Sequence, residues 1–96
     1  MRCEWDEAKN KINERKHGIS FETATRVFGD PNIVQYVERI EGGEERWQAI
    51  GYVGGSLLLL TVVHTWAEKG TEEVVRIISA RQASNPERKL YAEAIL

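Results

Sequence analysis

Several side chains that can hold phosphate lie close together near the end of this chain, in the segment RIISARQASNPERKLY. The segment is typical of a strand that leads into a capped helix, with apolar residues between the polar ones. Arginine can bind two phosphate oxygens at once through its planar guanidinium group, and hydroxyl groups donate to phosphate as well. The candidates are Arg76, Ser79, Arg81, Arg88 and Tyr91. Cationic side chains held at the end of a strand indicate a site that could bind an RNA backbone.

Cleavage of RNA without a metal ion needs a base for the 2′-hydroxyl, cations for the phosphorane and an acid for the departing 5′-oxygen. Arg81 follows the strand and directly precedes a helix, and this position favours a functional role. Arg76 fits a phosphate contact or an ion pair with a cross-strand glutamate equally well. Alternation places Ser79 and Arg81 on one face and Arg76 on the other, unless strand twist or a bulge brings Arg76 back.

Other candidate residues have simpler structural explanations. His64 lies late in an apolar strand, which is more typical of a core residue than of a catalytic base. Lys16 and His17 fall at the end of the first predicted helix, where positive charge complements the helix dipole. Glu45 and Arg46 are most simply an ion pair between a turn and a strand. Tyr91, in the last helix, is most simply a half-buried residue.

Two short helices are predicted before the strands. The first begins after Asp6, which can cap the free backbone N–H groups, and ends at Gly18. The second, FETATRVF, is capped by Ser20 and stopped by the sequence Gly-Asp-Pro at 29–31. The narrow apolar stripe predicted for the first helix consists of Trp5, Ala8 and Ile12.

Strand-like segments follow, separated by short turns that contain glycine. They cover residues 33–39, 46–53, 57–66 and 73–81. Such turns predict hairpins and hence an antiparallel meander, and the third segment, apolar on both alternations, is expected to be central. A last helix, capped by Ser84 with Glu87 or by Asn85 before Pro86, is predicted to run to about Ile95. The sequence therefore predicts an α+β fold with two N-terminal helices, a four-stranded antiparallel meander sheet and a C-terminal helix.

The composition is that of one soluble globular domain spanning residues 1–96. Hydrophobic residues make up 42% of the chain and charged residues 29%, which argues against disorder. No apolar run approaches the ~20 residues that a membrane-spanning helix needs, so no membrane association is expected. A single cysteine, Cys3, excludes an internal disulfide and suits a reducing cytoplasm. The two distant histidines and the lack of nucleotide-binding motifs predict neither a metal site nor a cofactor.

The order of the short motifs resembles that of the BrnT toxin family. The motifs are CEWDEAKN, RKHGISFE, VFGDP, GEERW, VVHT and RIISAR, followed by ER and a tyrosine. The resemblance implies a bacterial type II toxin with a RelE-like fold, acting as a metal-independent endoribonuclease that cleaves RNA and inhibits translation. It also implies a BrnA-like antitoxin with a ribbon-helix-helix part, so that DNA is contacted only through this partner.

The resemblance implies site residues at nine positions, which are Lys16, His17, Glu45, Arg46, His64, Arg76, Ser79, Arg81 and Tyr91, and Arg88 is added from the residues alone. The predicted catalytic residues are Arg81, Arg76, His64, Lys16 and Tyr91. The predicted RNA-phosphate-binding residues are Ser79, Arg46, His17 and Arg88, with Glu45 in a supporting role. On this hypothesis the arginines at 81 and 76 stabilise the phosphorane, and either the histidine at 64 or the lysine at 16 transfers protons.

A second hypothesis starts from a departure from the family pattern. Related toxins often carry a second arginine after RIISAR, where this chain has Gln82, and more basic residues in the last helix. The net charge is −2, which argues against nonspecific coating of nucleic acid, since such affinity comes from neutralised phosphates. The alternative is a non-catalytic interaction module that binds a ribbon-helix-helix antitoxin and represses transcription together with it.

Overall fold

The structure, a computed structural model that describes residues 1–94, contains three α-helices and five strands in one mixed sheet. The helices are α1 (Glu7–His17), α2 (Phe21–Ala24), which continues as a 3-10 helix (Thr25–Gly29), and α3 (Asn85–Ala94). The strands are β1 (Arg2–Glu4), β2 (Val34–Glu41), β3 (Glu44–Tyr52), β4 (Leu59–Lys69) and β5 (Glu72–Gln82). Their order across the sheet is β1-β5-β4-β3-β2. The α+β class is confirmed.

The prediction of a four-stranded antiparallel sheet was wrong in one respect. The sheet in the structure has five strands and is not purely antiparallel. The N-terminal residues form β1, which pairs in parallel with β5 and places Cys3 opposite Val75. A strand of three residues is too short for side-chain alternation to reveal it in the sequence. The other four strands form the antiparallel meander that the glycine-containing turns predicted.

The helix boundaries follow the predicted caps. The Asp6 carboxylate accepts a hydrogen bond from the backbone N–H of Ala8 at 2.8 Å, and Gly18 ends α1 with a positive φ of 73°. Ser20 caps α2 by accepting from the N–H of Thr23. The predicted second helix is α-helical only at its start, since residues 25–29 tighten into the 3-10 form. The end predicted for the last helix, at Ile95, lies outside the described residues. No helix within residues 1–94 is long and apolar enough to cross a lipid bilayer.

The predicted apolar stripe of α1 was wrong. Ala8 is exposed, and Ile12 is 54% exposed. Of the predicted stripe only Trp5 contacts the core, edge-on to Phe21 with ring centroids 6.3 Å apart. The residues that α1 buries are instead two asparagines, so polar contacts attach this helix to the sheet.

Asn13 makes most of that attachment. Its Nδ2 donates to the carbonyl oxygens of Ile19 at 2.9 Å and Ala80 at 2.8 Å, and its Oδ1 accepts from the Ala80 N–H at 3.2 Å. The side-chain amide thereby satisfies both backbone groups of Ala80, a residue that β1 does not reach. Helix α1 is consequently held alongside the free edge of β5.

The two faces of the sheet are covered unequally. One face, called here the helical face, carries Leu60, Val62 and His64 of β4 and packs against α2 and the 3-10 helix in the main apolar core. The opposite face, called here the open face, is covered at one end only. There Tyr91 of α3 packs with Leu59 and other apolar residues in a second, smaller cluster. Within residues 1–94 no helix packs on the rest of the open face, where the polar side chains themselves leave Gln48 and Thr65 only 7% and 3% exposed.

A β-bulge decides which residues of β5 lie on the open face. The register of β4 against β5 shifts by one residue, and Ile78 is left without a partner. Because an inserted residue reverses the alternation beyond it, Arg76 lies on the same face as Ser79 and Arg81. The bulge thus brings Arg76 onto the face of Ser79 and Arg81, from which strict alternation would separate it.

Candidate phosphate-binding face

The open face gathers polar and cationic side chains from β2 to β5. Adjacent strands pair Tyr36 with Gln48, Gln48 with Val63, and Val63 with Ser79, so these side chains form a row across the sheet. The polar members of the face include Tyr36, Arg46, Gln48, Thr61, Thr65, Arg76, Ser79 and Arg81, and the acidic residues Glu4, Glu41, Glu44 and Glu72 lie on it as well. The cations lie around this row, an arrangement that suits an extended, negatively charged chain.

Arg81 is fixed by Glu87, a residue of α3. Its Nη1 and Nη2 donate to the two carboxylate oxygens of Glu87 at 2.6 and 2.8 Å. Glu87 Oε1 also accepts hydrogen bonds from the Thr61 hydroxyl at 2.9 Å and from the Ser84 N–H at 2.8 Å. The bond from Ser84 confirms the predicted capping box. The guanidinium group is the main reason that the pKa of Glu87 is lowered to about 2. The carboxylate stays ionised and holds the Arg81 fork in one orientation.

The other arginines of the open face also have carboxylate partners. Arg76 Nη1 lies 3.7 Å from the carboxylate of Glu4, which β1 brings alongside. Arg46 lies 3.9 Å from Glu41 and 3.6 Å from Glu44 in the β2–β3 hairpin, and not against the adjacent Glu45 as predicted. A phosphate that binds here must therefore compete with carboxylates, and the arginine side chains are already positioned before it arrives.

Tyr36 and Gln48 belong to this face and were missed in the sequence. The Tyr36 hydroxyl donates to Gln48 Oε1 at 2.5 Å. Burial, and then the negative charge of Glu87, raise the pKa of Tyr36, so its hydroxyl is protonated at neutral pH. Counting back from the hairpin would pair Gln48 with Val37, but a second bulge, at Glu38, shifts the register by one. Because nothing in the sequence indicates the bulge, the sequence does not predict that Tyr36 pairs with Gln48.

Comparison with known protein families supports the nuclease interpretation. The chain matches, over residues 5–87, the model of a family described as the ribonuclease toxin BrnT of a type II toxin–antitoxin system. The chain belongs to the BrnT toxin family. No curated protein matches the sequence. The matched range contains Arg76, Ser79 and Arg81 of the open face, whereas Glu4, Arg88 and Tyr91 lie beyond it.

In this BrnT toxin, His64 lies away from the open face. The ring is fully buried on the helical face and stacks on Trp47, with edge-on contacts to Phe28 and Trp66 at 5.1 and 5.5 Å. Neither ring nitrogen has a hydrogen-bond partner within residues 1–94, and burial lowers the pKa of His64 to about 4. The sheet separates this neutral imidazole from Arg81, which lies on the open face.

Tyr91 is structural in its contacts. It is 5% exposed, and its hydroxyl donates to Asp30 Oδ2 at 2.7 Å, an oxygen that also accepts from the Tyr52 N–H at 2.8 Å. Burial, together with this bond to a carboxylate, raises the pKa of Tyr91 to about 12. These contacts tie α3 to the end of β3 and leave no free hydroxyl for substrate.

The remaining predicted residues lie at the periphery. Lys16 and His17 are exposed at the end of α1, and Arg88 is exposed on α3. Glu45 is exposed in the β2–β3 hairpin and alternates away from Arg46. None of the lysines and arginines of α1 has a carboxylate partner among the described residues. The edge of β5 therefore carries unpaired positive charge beside the paired arginines of the open face. Within residues 1–94, no three His, Cys, Asp or Glu side chains are grouped so that they could hold a metal ion.

A pH measurement can test the bond between Arg81 and Glu87. The pKa of Glu87 is lowered from its ordinary value of 4.5 to about 2, so the stabilisation is complete above pH 4.5 and is lost as the pH falls toward 2. We expect Glu87→Gln to lower the free energy of unfolding at pH 7 and to flatten its decline over this acidic window. Urea denaturation of both proteins between pH 2 and pH 7 measures this. Parallel curves for wild type and variant would contradict the geometry.

Proposed function

We propose that this BrnT toxin is an endoribonuclease that binds the RNA backbone across its open face and cleaves it without a metal ion. The observation that carries the proposal is the Arg81 guanidinium group, held by both oxygens of Glu87 yet 38% exposed, on the same face as Ser79 of the polar row and two residues from it. A family of ribonuclease toxins supplies the reaction class. Arg81 supplies the group best suited to the charge that develops on phosphorus.

The chemistry follows from the donors that Arg81 keeps free. A guanidinium group has five N–H donors, and Arg81 directs two short bonds to Glu87 and one long bond, 3.4 Å, to the carbonyl of Gln82. The others can reach a phosphate oxygen from the exposed side. Because Glu87 fixes the fork beforehand, little reorganisation is needed when the phosphorane forms.

Proton transfer requires a further group on the same face. Tyr36 is protonated at neutral pH and lies in the polar row, so we assign it the delivery of a proton to the departing 5′-oxygen. The proton of the attacking 2′-hydroxyl passes to solvent water, and Tyr36 regains its own proton from solvent after the 5′-oxygen has left. Ser79, in the same row, is proposed to orient the phosphate. Arg76 and the exposed Lys16 are proposed to hold neighbouring phosphates, at the two ends of the path that RNA takes along β5.

The partner of this activity is an antitoxin, as the type II family implies. We propose that it is of the ribbon-helix-helix class, that it contacts DNA for the pair, and that the toxin acts on RNA in the cytoplasm. The consequence of cleavage would be inhibited translation.

Incubation of the purified protein with RNA in excess EDTA tests the catalytic proposal. We expect cleavage at the same rate as in Mg²⁺, with products that carry 2′,3′-cyclic phosphate ends because the 2′-hydroxyl attacks. Tyr36→Phe is expected to slow cleavage by about 10²-fold, the usual contribution of a positioned acid. Activity that disappears in EDTA and returns with Mg²⁺ would overturn metal independence, and an unaffected Tyr36→Phe rate would remove that residue from the mechanism.

A second candidate function is favoured by one observation. Each arginine of the open face is paired with a carboxylate, and Gln82 stands where related toxins often have another arginine. A face neutralised in this way suits a protein that binds its antitoxin and represses transcription with little catalysis. Expression in a bacterium distinguishes the two, since only the nuclease arrests growth until the antitoxin is supplied.

A further inference from the structure

A groove that the nuclease proposal does not use opens on the helical face, beyond the 3-10 helix. It has a volume of about 420 Å³ and is lined by Trp47, Trp66, Ala67, Glu68 and Glu73. It lies toward the end of β4 opposite the one where α3 packs. We call this site the Trp–Glu groove. Its walls combine two indole rings with two carboxylates. A phosphate site needs positive charge, whereas this groove is negatively charged.

The indole walls are held in place from behind. The Trp47 ring stacks on buried His64 with centroids 6.4 Å apart and an interplanar angle of 18°. The Trp66 ring meets His64 edge-on at 5.5 Å and Phe28 edge-on at 6.5 Å. Both tryptophans are only partly buried, so part of each ring remains free to contact a ligand. Val37, which pairs with Trp47 and is 38% exposed, adds apolar surface on the same face beside the groove.

The two carboxylates of the groove lack partners. Glu68 and Glu73 lie directly opposite each other on β4 and β5, where like charges are destabilising. Neither forms an ion pair or a side-chain hydrogen bond with any residue from 1 to 94. The neighbouring pair on the same two strands is different, because Lys69 lies opposite Glu72 and both find oppositely charged partners. A cation placed between Glu68 and Glu73 would relieve their repulsion.

We propose that the Trp–Glu groove binds an arginine or lysine side chain within an apolar segment of the antitoxin. A cation over an indole face is attracted by the ring quadrupole, and more strongly where water is excluded. The two carboxylates attract a positively charged side chain and repel the phosphates of RNA. The expected ligand is therefore a protein. The apolar surface at Val37 and the indoles suits the residues that flank the cation. The antitoxin as source rests on the family, whereas the chemistry of the groove does not depend on the nuclease proposal.

A titration followed by NMR tests the chemistry of the groove. The probe is the peptide acetyl-Leu-Arg-Ala-Leu-Arg-amide, added to ¹⁵N-labelled protein, and the readout is the three tryptophan indole N–H signals, assigned with Trp→Phe variants. We expect saturable shifts for Trp47 and Trp66 and none for Trp5, which lies against Phe21 instead. The same peptide with glutamate in place of arginine is expected not to bind. Equal binding of both peptides, or no saturable shift with the basic one, would overturn the proposal.

Charge variants test the occupant. Glu68→Gln/Glu73→Gln is expected to weaken both the basic peptide and the purified cognate antitoxin by about tenfold. The matched control, Glu14→Gln/Glu93→Gln, removes two exposed acids elsewhere and is expected to change neither affinity. If only peptide binding weakens, the antitoxin is not the occupant. Both double variants are expected to cleave RNA at the wild-type rate, so failure of the groove and failure of the nuclease proposal are distinguishable.

Discussion

Replacement of Arg81 by alanine is expected to slow RNA cleavage by about 10²- to 10³-fold, the usual effect of removing one preorganised donor from a developing negative charge. The bidentate bond to Glu87 fixes the guanidinium group before substrate binds. Loss of the fork therefore removes an interaction that is strongest in the transition state. Single-turnover cleavage of a labelled RNA in EDTA measures the effect on the chemical step directly.

Two companion variants make this result interpretable. Arg81→Lys keeps the charge but loses the planar fork, so an intermediate rate is expected. Lys89→Ala removes a cation of α3 that is 77% exposed and lies 3.9 Å from Glu93, and it is expected to leave the rate unchanged. Because Arg81→Ala also leaves the Glu87 carboxylate without its main partner, thermal unfolding must show that the variant is folded at the assay temperature. A folded Arg81→Ala protein that cleaves at the wild-type rate would remove Arg81 from the mechanism.

The parts of the fold that sequence reasoning predicted correctly are those with local signals. Glycine-containing turns gave the meander, and polar caps such as Asp6 and Ser20 gave the helix starts. The composition of the open face depended on two bulges instead, at Glu38 and Ile78. A bulge inserts one residue without a side-chain signature, yet it reverses every later side chain on the strand. Alternation alone therefore separates Arg76 from Arg81, although the structure unites them.

The partners of the arginines were beyond prediction for a different reason. Glu4 reaches Arg76 because residues 2–4 form β1. No pattern in the sequence predicted this strand. Glu87 was predicted as a helix cap, and it is one, but the same carboxylate also binds Arg81 and Thr61. Local patterns identify one contact of a residue at a time. The state of charge of the face depends on contacts between residues distant in the chain.

Helix α1 gives the sharpest contrast between pattern and packing. Its apolar residues recur at helical spacing, so the pattern predicts that Ile12 attaches the helix to the core. The structure exposes Ile12 and buries Asn13, whose amide completes the hydrogen bonds of Ala80 at the edge of β5. An amide can do this because it has both a donor and an acceptor, as a neighbouring strand would have. The difference can be measured.

Replacement of Asn13 by alanine is expected to lower the free energy of unfolding by about 3 kcal/mol. The variant loses three hydrogen bonds and leaves the N–H and C=O of Ala80 and the carbonyl of Ile19 without partners, each at a cost of about 1–3 kcal/mol where water cannot reach them. Asn13→Asp keeps the shape but replaces the donor by a carboxylate that faces two carbonyl oxygens, so a loss at least as large is expected at pH 7. Urea denaturation followed by far-UV circular dichroism measures both.

Ile12→Ala is the matched control, because it lies one position away on the same helix. At an exposed position, with alanine the stronger helix former, the change is expected to stay within about 0.5 kcal/mol. Hydrogen exchange adds a local readout, since the Ala80 amide is expected to lose protection in Asn13→Ala but not in Ile12→Ala. A larger loss of stability from Ile12→Ala than from Asn13→Ala would mean that apolar burial attaches α1. Helix α1 would then be oriented differently, and its lysines and arginines, which have no carboxylate partner within residues 1–94, would not lie beside β5.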